Sequence, residues 1–359
     1  MRLLSFRYWV LTLLFCWSFA AHSLQLSIPY QQSAEQIRQT FEPQLYTLPA
    51  FTAGHYGLRM YRQSLDPKYT AAIWQDMARV ASNLNKFSAE LTTPEQITQY
   101  GLNRLKSYEN SPKERSQRRL AATKAMPEYM YLGVGLLGSM ARANEYGLKH
   151  RDDAKLREVI RCYDFKKYAT DPEMIRAWGA QLANQVYWLR QLGEQDVVNE
   201  FVVAFRETYP DSQDSKLSEQ QYGNKIYILT HIIFAASQYY QLPIQEKDFQ
   251  WIFDYYRKNI DNIIKNTKED IIAEVGVNFL LAGLDNDPVV GKTRYAIQHA
   301  INDKHGMIPS VTGDFDLASG EHRNVLAIML LDWKGTNIGP TVNRQPDMFK
   351  RIPYGLIAK

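Results

Sequence analysis

The feature of this 359-residue sequence that most constrains its fold is the spacing of its apolar residues. From about residue 70 onward they recur at positions i, i+3, i+4 and i+7, which places them along one side of an α-helix, and β-type alternation is almost absent. Proline and glycine mark the ends: Asp171-Pro172 opens a helical segment, and Gly193 and Gly283 follow two others. The sequence therefore predicts an all-α protein.

The predicted helices are of two alternating kinds. Helices that are apolar all round belong in an interior, whereas amphipathic helices cover it. The apolar segments, which we name inner helices, lie within 131–147, 177–193, 225–242, 270–284 and 322–333. The amphipathic segments, which we name outer helices, lie within 155–165, 197–209, 248–264 and 289–303. This alternation predicts helical hairpins, each with one inner and one outer helix.

Polar residues inside the inner helices recur at a regular interval. Asn184, His231, Glu274 and His322 are separated by 47, 43 and 48 residues. A period of this size is typical of a repeated helical pair. Such repeats stack into an open solenoid or curl into an α/α toroid, and we favour a complete or partial toroid over residues 70–359. In a toroid, polar side chains at matching positions converge on a central funnel.

The N-terminal part of the chain falls outside this rhythm. Residues 1–23 have Arg2 and Arg7, an apolar run over 8–21, and small residues at Ala21 and Ser23. This order is typical of a signal peptide cleaved after Ser23, and the run is short of the about 20 residues that span a bilayer. We therefore expect a periplasmic or secreted protein without a stable membrane anchor; an uncleaved N-terminal anchor is the alternative. Residues 24–69 are expected to form an N-terminal arm and first helix.

The charge balance bears on whether the protein binds nucleic acid, and the number of cysteines bears on whether it forms an internal disulfide. The formal charge of +4 falls to +2 without residues 1–23, and basic runs are absent, so a nucleic-acid partner is not expected. One cysteine, Cys162, remains after cleavage, which excludes an internal disulfide. Its apolar helical setting predicts a buried packing residue.

Four segments carry a resemblance to known proteins. GHYGLRMYRQ, YILTHIIFAASQYYQ, EVGVNFLLAGL and GEHRNVLAIMLLDW together resemble an uncharacterised family of bacterial exported proteins, a domain of unknown function that covers nearly the whole mature chain. The T-H-x-x-F and E-H-x-N-V-L-A helices separately resemble repeats of α/α-toroid proteins, such as terpenoid cyclases and polysaccharide lyases. The first resemblance implies no activity. The second implies the fold but no particular reaction, because one fold hosts many reactions.

No short catalytic or metal-binding motif is present, so any site must combine residues that are distant in sequence. The candidate catalytic residues are Tyr227, His231, Glu274 and His322. Asp270 lies one turn before Glu274, as Tyr227 lies one turn before His231, and each pair shares a helical face. Charged groups inside apolar helices are costly unless they are paired or used. The structural alternative is a buried Glu–His pair.

Two reactions on a glycan fit these residues. For a lyase, Asn184 or Glu274 would neutralise a uronate carboxylate, His231 would be the base and Tyr227 the acid. For a glycoside hydrolase, Glu274 would act with Asp270, Asp314 or Asp316. A zinc ion held by two histidines and a carboxylate is a further alternative, although we assign no metal site, and the cofactor stays unknown. Aromatic residues expected either to stack on sugars or to pack in the core are Tyr131, Trp178, Trp188 and Tyr227.

Further polar residues flank these helices. His55 and Arg59 share a helical face and suit an anionic ligand, or else they fasten the N-terminal arm over the funnel. Ser319 or Gly320 is the predicted cap of the last inner helix, with Glu321 in its first turn. The remaining histidines are expected at the surface; they are His150, His299 and His305.

These observations lead to two hypotheses. The first is an exported protein that binds and cleaves a glycan in a central funnel, with substrate contacts from Asn184, His55, Arg59, Asp270, Asp314 and Asp316. The second is a non-catalytic protein whose toroid binds a protein partner in the cell envelope. The second predicts a closed, mutually bonded cluster, and the first predicts an open cleft.

Overall fold

The computed structural model describes residues 29–359, so the predicted signal peptide lies outside the described residues. Within this range the chain forms sixteen α-helices and one short antiparallel ladder. The helices are α1 Tyr30–Phe41, α2 Ala50–Ser64, α3 Thr70–Glu90, α4 Pro94–Glu109, α5 Glu114–Thr123, α6 Tyr129–Tyr131, α7 Gly138–Glu145, α8 Asp153–Arg161, α9 Lys166–Ala169, α10 Pro172–Gln191, α11 Val198–Thr208, α12 Glu219–Ala236, α13 Gln250–Asn266, α14 Glu269–Leu281, α15 Pro288–Ala300 and α16 Leu317–Leu331. The strands are β1 Leu148–His150 and β2 Leu356–Ala358. The all-α prediction is confirmed.

Helix starts follow the expected side-chain caps. Asp171 accepts a hydrogen bond from the backbone N–H of Met174, and Pro172 takes the first turn, where it loses no bond. Asp287 caps α15 in the same way. Between α6 and α7 the chain continues as a π-helical turn, Leu132–Leu137, which contains two glycines. Local sequence therefore sets where α10 and α15 begin and how the chain continues from α6 into α7.

The predicted inner helices are buried almost all round. In α14 every residue from Ile271 to Leu281 is buried, and α16 is buried from Val325 to Leu331. Glycines let these helices approach closely: a Cβ at Gly179 would overlap Ile228, and one at Gly276 would overlap Leu330. The predicted outer segments form α8, α11, α13 and α15, each with one buried face.

Helix contacts run round a closed circuit. α16 packs against α14, α14 against α12, α12 against α10, and α10 against the π-helical turn and α7. α7 packs against α3, α3 against α2, and α2 returns to α16. This is the order of neighbours that a toroid has, and the toroid as such stays a prediction. The circuit brings helices distant in sequence to one centre.

The segment over residues 24–69 differs from the expected arm and single helix. It contains two α-helices, and α2 is buried over most of its length, including Tyr56, Leu58 and Met60. Gly54 explains the close fit of α2 on α3, because a Cβ there would overlap the side chain of Asp76. The segment thus contributes a further inner helix instead of lying over the others.

The C-terminal ends of several inner helices meet at Arg62, the last basic residue of α2. Its guanidinium pairs with Glu145 at 2.9 Å and donates to the carbonyls of Tyr239 and Gly339, both at 3.0 Å. Nearby, β1 pairs with β2 and so fastens the end of the described chain beside α7. These bonds join the chain at or beyond the C-terminal ends of α2, α7, α12 and α16. The candidate site residues of α14 and α16 lie nearer the N-terminal ends of their helices.

Several other expectations need correction. Cys162 is exposed, because it follows the end of the short outer helix α8. His150 is buried, since β1 carries it against Asn85, whereas His299 and His305 are exposed as expected. Tyr131 and Trp178 pack in the core. None of the helices in residues 29–359 is long and apolar enough to cross a membrane.

Candidate functional site

A cavity of about 820 Å³ opens beside the N-terminal halves of α12 and α14. Its volume falls in the range of small-molecule sites. We name it the site cavity, and its wall is formed by Lys113, Glu114, Arg115, Ser218, Glu219, Gln220, Gly223, Asn224, Tyr227, Asn266, Thr267, Lys268, Asp270, Ile271 and Val311. Two of the sequence-predicted residues, Tyr227 and Asp270, therefore lie in the cavity wall. One helical turn further along each helix lies a buried titratable residue, His231 on α12 and Glu274 on α14.

Below Tyr227 on α12 lies His231. The two rings are 4.1 Å apart, and Nδ1 of His231 lies 2.9 Å from the backbone oxygen of Tyr227, which assigns the ring proton to Nδ1 and leaves Nε2 as an acceptor. Burial lowers the pKa of His231 to about 3, so the ring is neutral at pH 7. Burial, together with Glu274, raises the pKa of Tyr227, so its hydroxyl keeps its proton.

Below Asp270 on α14 lies Glu274, whose side chain is only 2% exposed. The hydroxyl of Thr230 donates to Oε2 of Glu274 at 2.6 Å, and Nδ1 of His231 lies 3.7 Å from the same oxygen. Burial raises the pKa of Glu274 well above its ordinary value. The raised pKa favours the protonated form of this carboxyl group, which makes it a candidate proton donor.

His322, in the first turns of α16, lies between the two carboxyl groups of α14. Its Nδ1 is 3.4 Å from Oδ2 of Asp270, and its Nε2 is 3.8 Å from Oε1 of Glu274. Burial alone would raise the pKa of Asp270, but the hydrogen bond and charge of His322 outweigh it and hold this pKa at about 2. His322 is the most open histidine of the group, with 34% of its side chain exposed against 11% for His55 and 10% for His231.

A second histidine–carboxyl pair adjoins His322. His55 of α2 bonds through Nδ1 to Oε1 of Glu321 at 2.8 Å, and its ring lies 5.4 Å from that of His322. Burial raises the pKa of Glu321 to about 8, partly opposed by Arg59. Burial and the neighbouring Arg59 lower the pKa of His55. The expected place of Glu321 in the first turn of its helix is wrong, because α16 begins at Leu317, and Glu321 is a buried partner of His55.

Arg59 lies one turn beyond His55 on α2 and is 7% exposed. Its Nη1 donates to the backbone oxygen of His55 at 3.4 Å, and its guanidinium lies 5.5 Å from the ring centre of Tyr240. Its Nε has no hydrogen-bond partner. We define the polar cluster as the group formed by His55, Arg59, Tyr227, His231, Asp270, Glu274, Glu321 and His322.

Three predicted residues are placed differently. Asp316 is the N-cap of α16, a role expected for Ser319 or Gly320, and it accepts from the N–H of Ser319. Asp314 accepts from Thr312 and from the N–H of Asp316, so both aspartates are exposed turn and cap residues. Neither makes a described contact with the polar cluster. Asn184 is buried with an unpaired Oδ1, and no described contact joins it to the cluster either.

The sequence patterns do not identify Thr230 or the three basic residues of the site. Thr230 adjoins His231 in the chain, and a hydroxyl beside a buried acid is the one signal that points to its bond with Glu274. The basic residues of the cavity wall, Lys113, Arg115 and Lys268, come from loops and helix ends with no recognisable pattern. Within residues 29–359, no group of three or more His, Cys, Asp or Glu side chains is arranged to hold a metal ion.

Comparison with known proteins gives one match. A family model described as a domain of unknown function (DUF3541) matches residues 30–359. No curated protein and no solved structure matches the chain.

Proposed function

The chain belongs to the DUF3541 family, and we propose that it binds a glycan in the site cavity and cleaves it by proton transfer at the polar cluster. The observation that carries this proposal is the position of Tyr227 and Asp270: both lie in the cavity wall, and each contacts a titratable ring, His231 for Tyr227 and His322 for Asp270. Pockets that combine large volume with titratable groups of shifted pKa are characteristic of active sites.

The groups of the cluster divide into donors and acceptors of protons. Tyr227 retains its hydroxyl proton and faces the cavity, which suits a general acid. His322 is oriented by ionised Asp270 through Nδ1, and its Nε2 lies beyond hydrogen-bond distance of Glu274, so the neutral ring offers the lone pair of Nε2 to a substrate proton. His322 is better placed for this role than His231, whose side chain is 10% exposed.

Direct hydrolysis between Asp270 and Glu274 fits the site less well. That reaction needs two carboxyl groups with the sugar between them. Here the imidazole of His322 occupies the space between these two groups, with Nδ1 3.4 Å from Asp270 and Nε2 3.8 Å from Glu274. Asp314 and Asp316, the other candidates, are engaged in turn and cap hydrogen bonds.

The test is a cleavage screen of the purified protein. Acidic and neutral glycans would be followed for new unsaturated ends, by ultraviolet absorbance, and for new reducing ends. We expect cleavage by the wild type and its loss by about 100-fold or more in Tyr227→Phe and in His322→Gln. Tyr295→Phe is the matched control, because Tyr295 lies exposed on the outer helix α15. Equal activity in all four proteins would contradict the assignment.

A non-catalytic role in binding a protein partner is the second candidate. It is favoured by one observation: Glu274 and His231 are deeply buried and bonded within the protein, as a structural cluster would be. The open cavity and the exposure of His322 favour the first candidate. If the screen shows neither binding nor cleavage of any glycan, the interaction role gains support.

Export through residues 1–23 belongs to the same proposal. It is supported by the order of charged, apolar and small residues in that segment. The mass of the protein recovered from the periplasm or medium tests it, with Leu24 expected as the first residue. Recovery of the intact chain in the membrane fraction would contradict cleavage.

A further inference from the structure

Arg59 is a buried cation without a matching anion. In residues 29–359, no carboxylate lies within ion-pair distance of its guanidinium, and its Nε makes no hydrogen bond. Buried arginines elsewhere in this protein are fully paired: Arg62 has Glu145 and two carbonyls. An unpaired buried charge is costly. An anion bound beside Arg59 would offset this cost, and the described residues of the chain do not supply one.

The nearest carboxyl groups do not supply it. Glu321 is bonded to His55, and Glu274 is bonded to Thr230. Burial raises the pKa of both groups despite the neighbouring arginine, so the neutral form is favoured in each. Asp270, which is ionised, is held by His322. The centre of the cluster therefore carries a positive charge that no carboxylate of residues 29–359 neutralises.

We infer that the substrate is a uronate-containing glycan and that Arg59 binds the carboxylate of the sugar at the cleavage site. This inference rests on the proposed glycan function and specifies its substrate. The planar fork of a guanidinium matches a carboxylate, which can accept two parallel hydrogen bonds. Arg59 donates to the backbone oxygen of His55, and the ring of His55 lies 5.4 Å from that of His322, so a carboxylate bound by Arg59 would lie near the proposed base.

A bound carboxylate determines which bond-breaking reaction the cluster can perform. With its charge neutralised by Arg59, the carboxylate makes the neighbouring C5 proton more acidic. Nε2 of His322 takes this proton, and the C–H electron pair forms a double bond between C4 and C5. The bond from C4 to the glycosidic oxygen breaks, and the leaving oxygen receives the hydroxyl proton of Tyr227. Water then exchanges both protons, so no external oxidant or reductant is consumed.

The experiment compares acidic and neutralised forms of the same ligand. A panel of oligogalacturonate, oligomannuronate and oligoglucuronate, each with its methyl ester, would be titrated calorimetrically into the wild type, Arg59→Met and Arg59→Lys. We expect at least one acid to bind and its ester to bind roughly 100-fold more weakly, because the charge partner of Arg59 is absent. Arg59→Met should lose this preference, and Arg59→Lys should retain part of it. Arg104→Gln, on the exposed face of α4, is the control for overall charge.

Stability separates a ligand-binding role from a structural one. Arg59→Met removes an unpaired buried charge, so its Tm without ligand should equal or exceed that of the wild type. A clear fall in Tm, or unfolding, would indicate a structural arginine and overturn the inference. Equal binding of acid and ester would overturn it too, as would binding of neutral glycans alone, while leaving the proposed glycan function intact. Binding of no glycan at all would overturn both.

Discussion

The hydroxyl of Thr230 donates a 2.6 Å hydrogen bond to Oε2 of Glu274 and so links the buried faces of α12 and α14. Both partners are inaccessible to water, since Thr230 is fully buried and Glu274 nearly so. A hydroxyl that donates to a carboxyl oxygen leaves the other oxygen free, and here that oxygen faces His322. The bond therefore orients the acid toward the site while it also joins two inner helices.

Removal of the Thr230 hydroxyl should destabilise the protein. In Thr230→Val the shape is kept but Oε2 of Glu274 loses its donor, and a buried acceptor without a partner costs about 1–3 kcal/mol. Urea unfolding monitored by circular dichroism measures the loss. Thr293→Val is a matched control, because the hydroxyl of Thr293 is equally buried but bonds only to its own helix. Equal losses in the two variants would show that the hydrogen bond between α12 and α14 stabilises the protein no more than a bond within one helix.

The stability of the protein should fall between pH 6.5 and 8. The pKa of Glu321 is about 8 in the folded protein against an ordinary 4.5, so its stabilising proton is fully present below pH 4.5 and is lost as the pH rises through 8. The lowered pKa values of His55 and His231 act in the opposite direction, but only below their ordinary value of 6.5.

Glu321→Gln should reduce that slope, since an amide does not titrate. One group contributes at most about 1.4 kcal/mol per pH unit in this window. Unfolding free energies at several pH values from 6.5 to 8 test this. The same slope in wild type and variant would mean that Glu321 titrates normally.

Asp270 and His322 should act as one unit in catalysis. In Asp270→Asn the ring of His322 loses the carboxylate that orients it, and in His322→Gln the carboxylate has nothing to orient. We expect each single variant to lose most of the activity, and the double variant to lose little more than either one alone. A double-mutant cycle on kcat/KM measures this. If the loss of kcat/KM in the double variant equals the product of the two single losses, Asp270 and His322 act independently.

Filling the site cavity should abolish ligand binding without unfolding the protein. Gly223 lies in the cavity wall, and a Cβ there would meet only Ile271, at an ordinary 3.7 Å. Gly223→Trp therefore places its ring in the cavity. Gly291→Trp is the control, since it puts the same side chain on an exposed part of α15 with no neighbouring atoms. Binding that survives in Gly223→Trp would place the ligand elsewhere.

The integration of α2 into the helix circuit can be tested with alanine. Gly54→Ala would push a methyl group into Asp76, and overpacking costs about 1–3 kcal/mol. Gly291→Ala should instead gain up to about 1 kcal/mol from better helix propensity. Thermal unfolding separates these signs. A neutral Gly54→Ala would mean that α2 is only loosely attached.

Apolar periodicity was sufficient to predict most of the fold. Residues three and four apart on one helix share a face, so the pairs Tyr227–His231 and Asp270–Glu274 had to lie together once their helices were identified. The repeat spacing also led correctly from Glu274 to His322, whose side chains are neighbours. It failed for Asn184, because an equal interval along the chain does not ensure that a side chain reaches the same contacts.

Other features depend on contacts between distant segments, which a single sequence does not contain. Glu321 looked like a first-turn residue favoured by the helix dipole, and only the position of α2 shows that His55 is its partner. His150 is buried because the end of the described chain pairs with β1, and Cys162 is exposed because α8 ends before it. Asp314 and Asp316 are carboxylates that the sequence alone cannot distinguish from functional ones, and in the fold they accept hydrogen bonds from the backbone N–H groups of Asp316 and Ser319.

The contact between α2 and α16 has a consequence for how the protein folds. These helices are separated by more than 250 residues, yet they pack directly, and Arg62 adds bonds to the carbonyl of Gly339. During synthesis α2 would emerge shortly before α3 but long before α16, so the surface that it packs against α16 would stay uncovered. Contacts of such long sequence separation form slowly, so a nascent chain depends on protection from aggregation until its last inner helix is made. For a chain proposed to cross a membrane before it folds, late closure of the helix circuit is an advantage, because the protein cannot complete its fold in the wrong compartment.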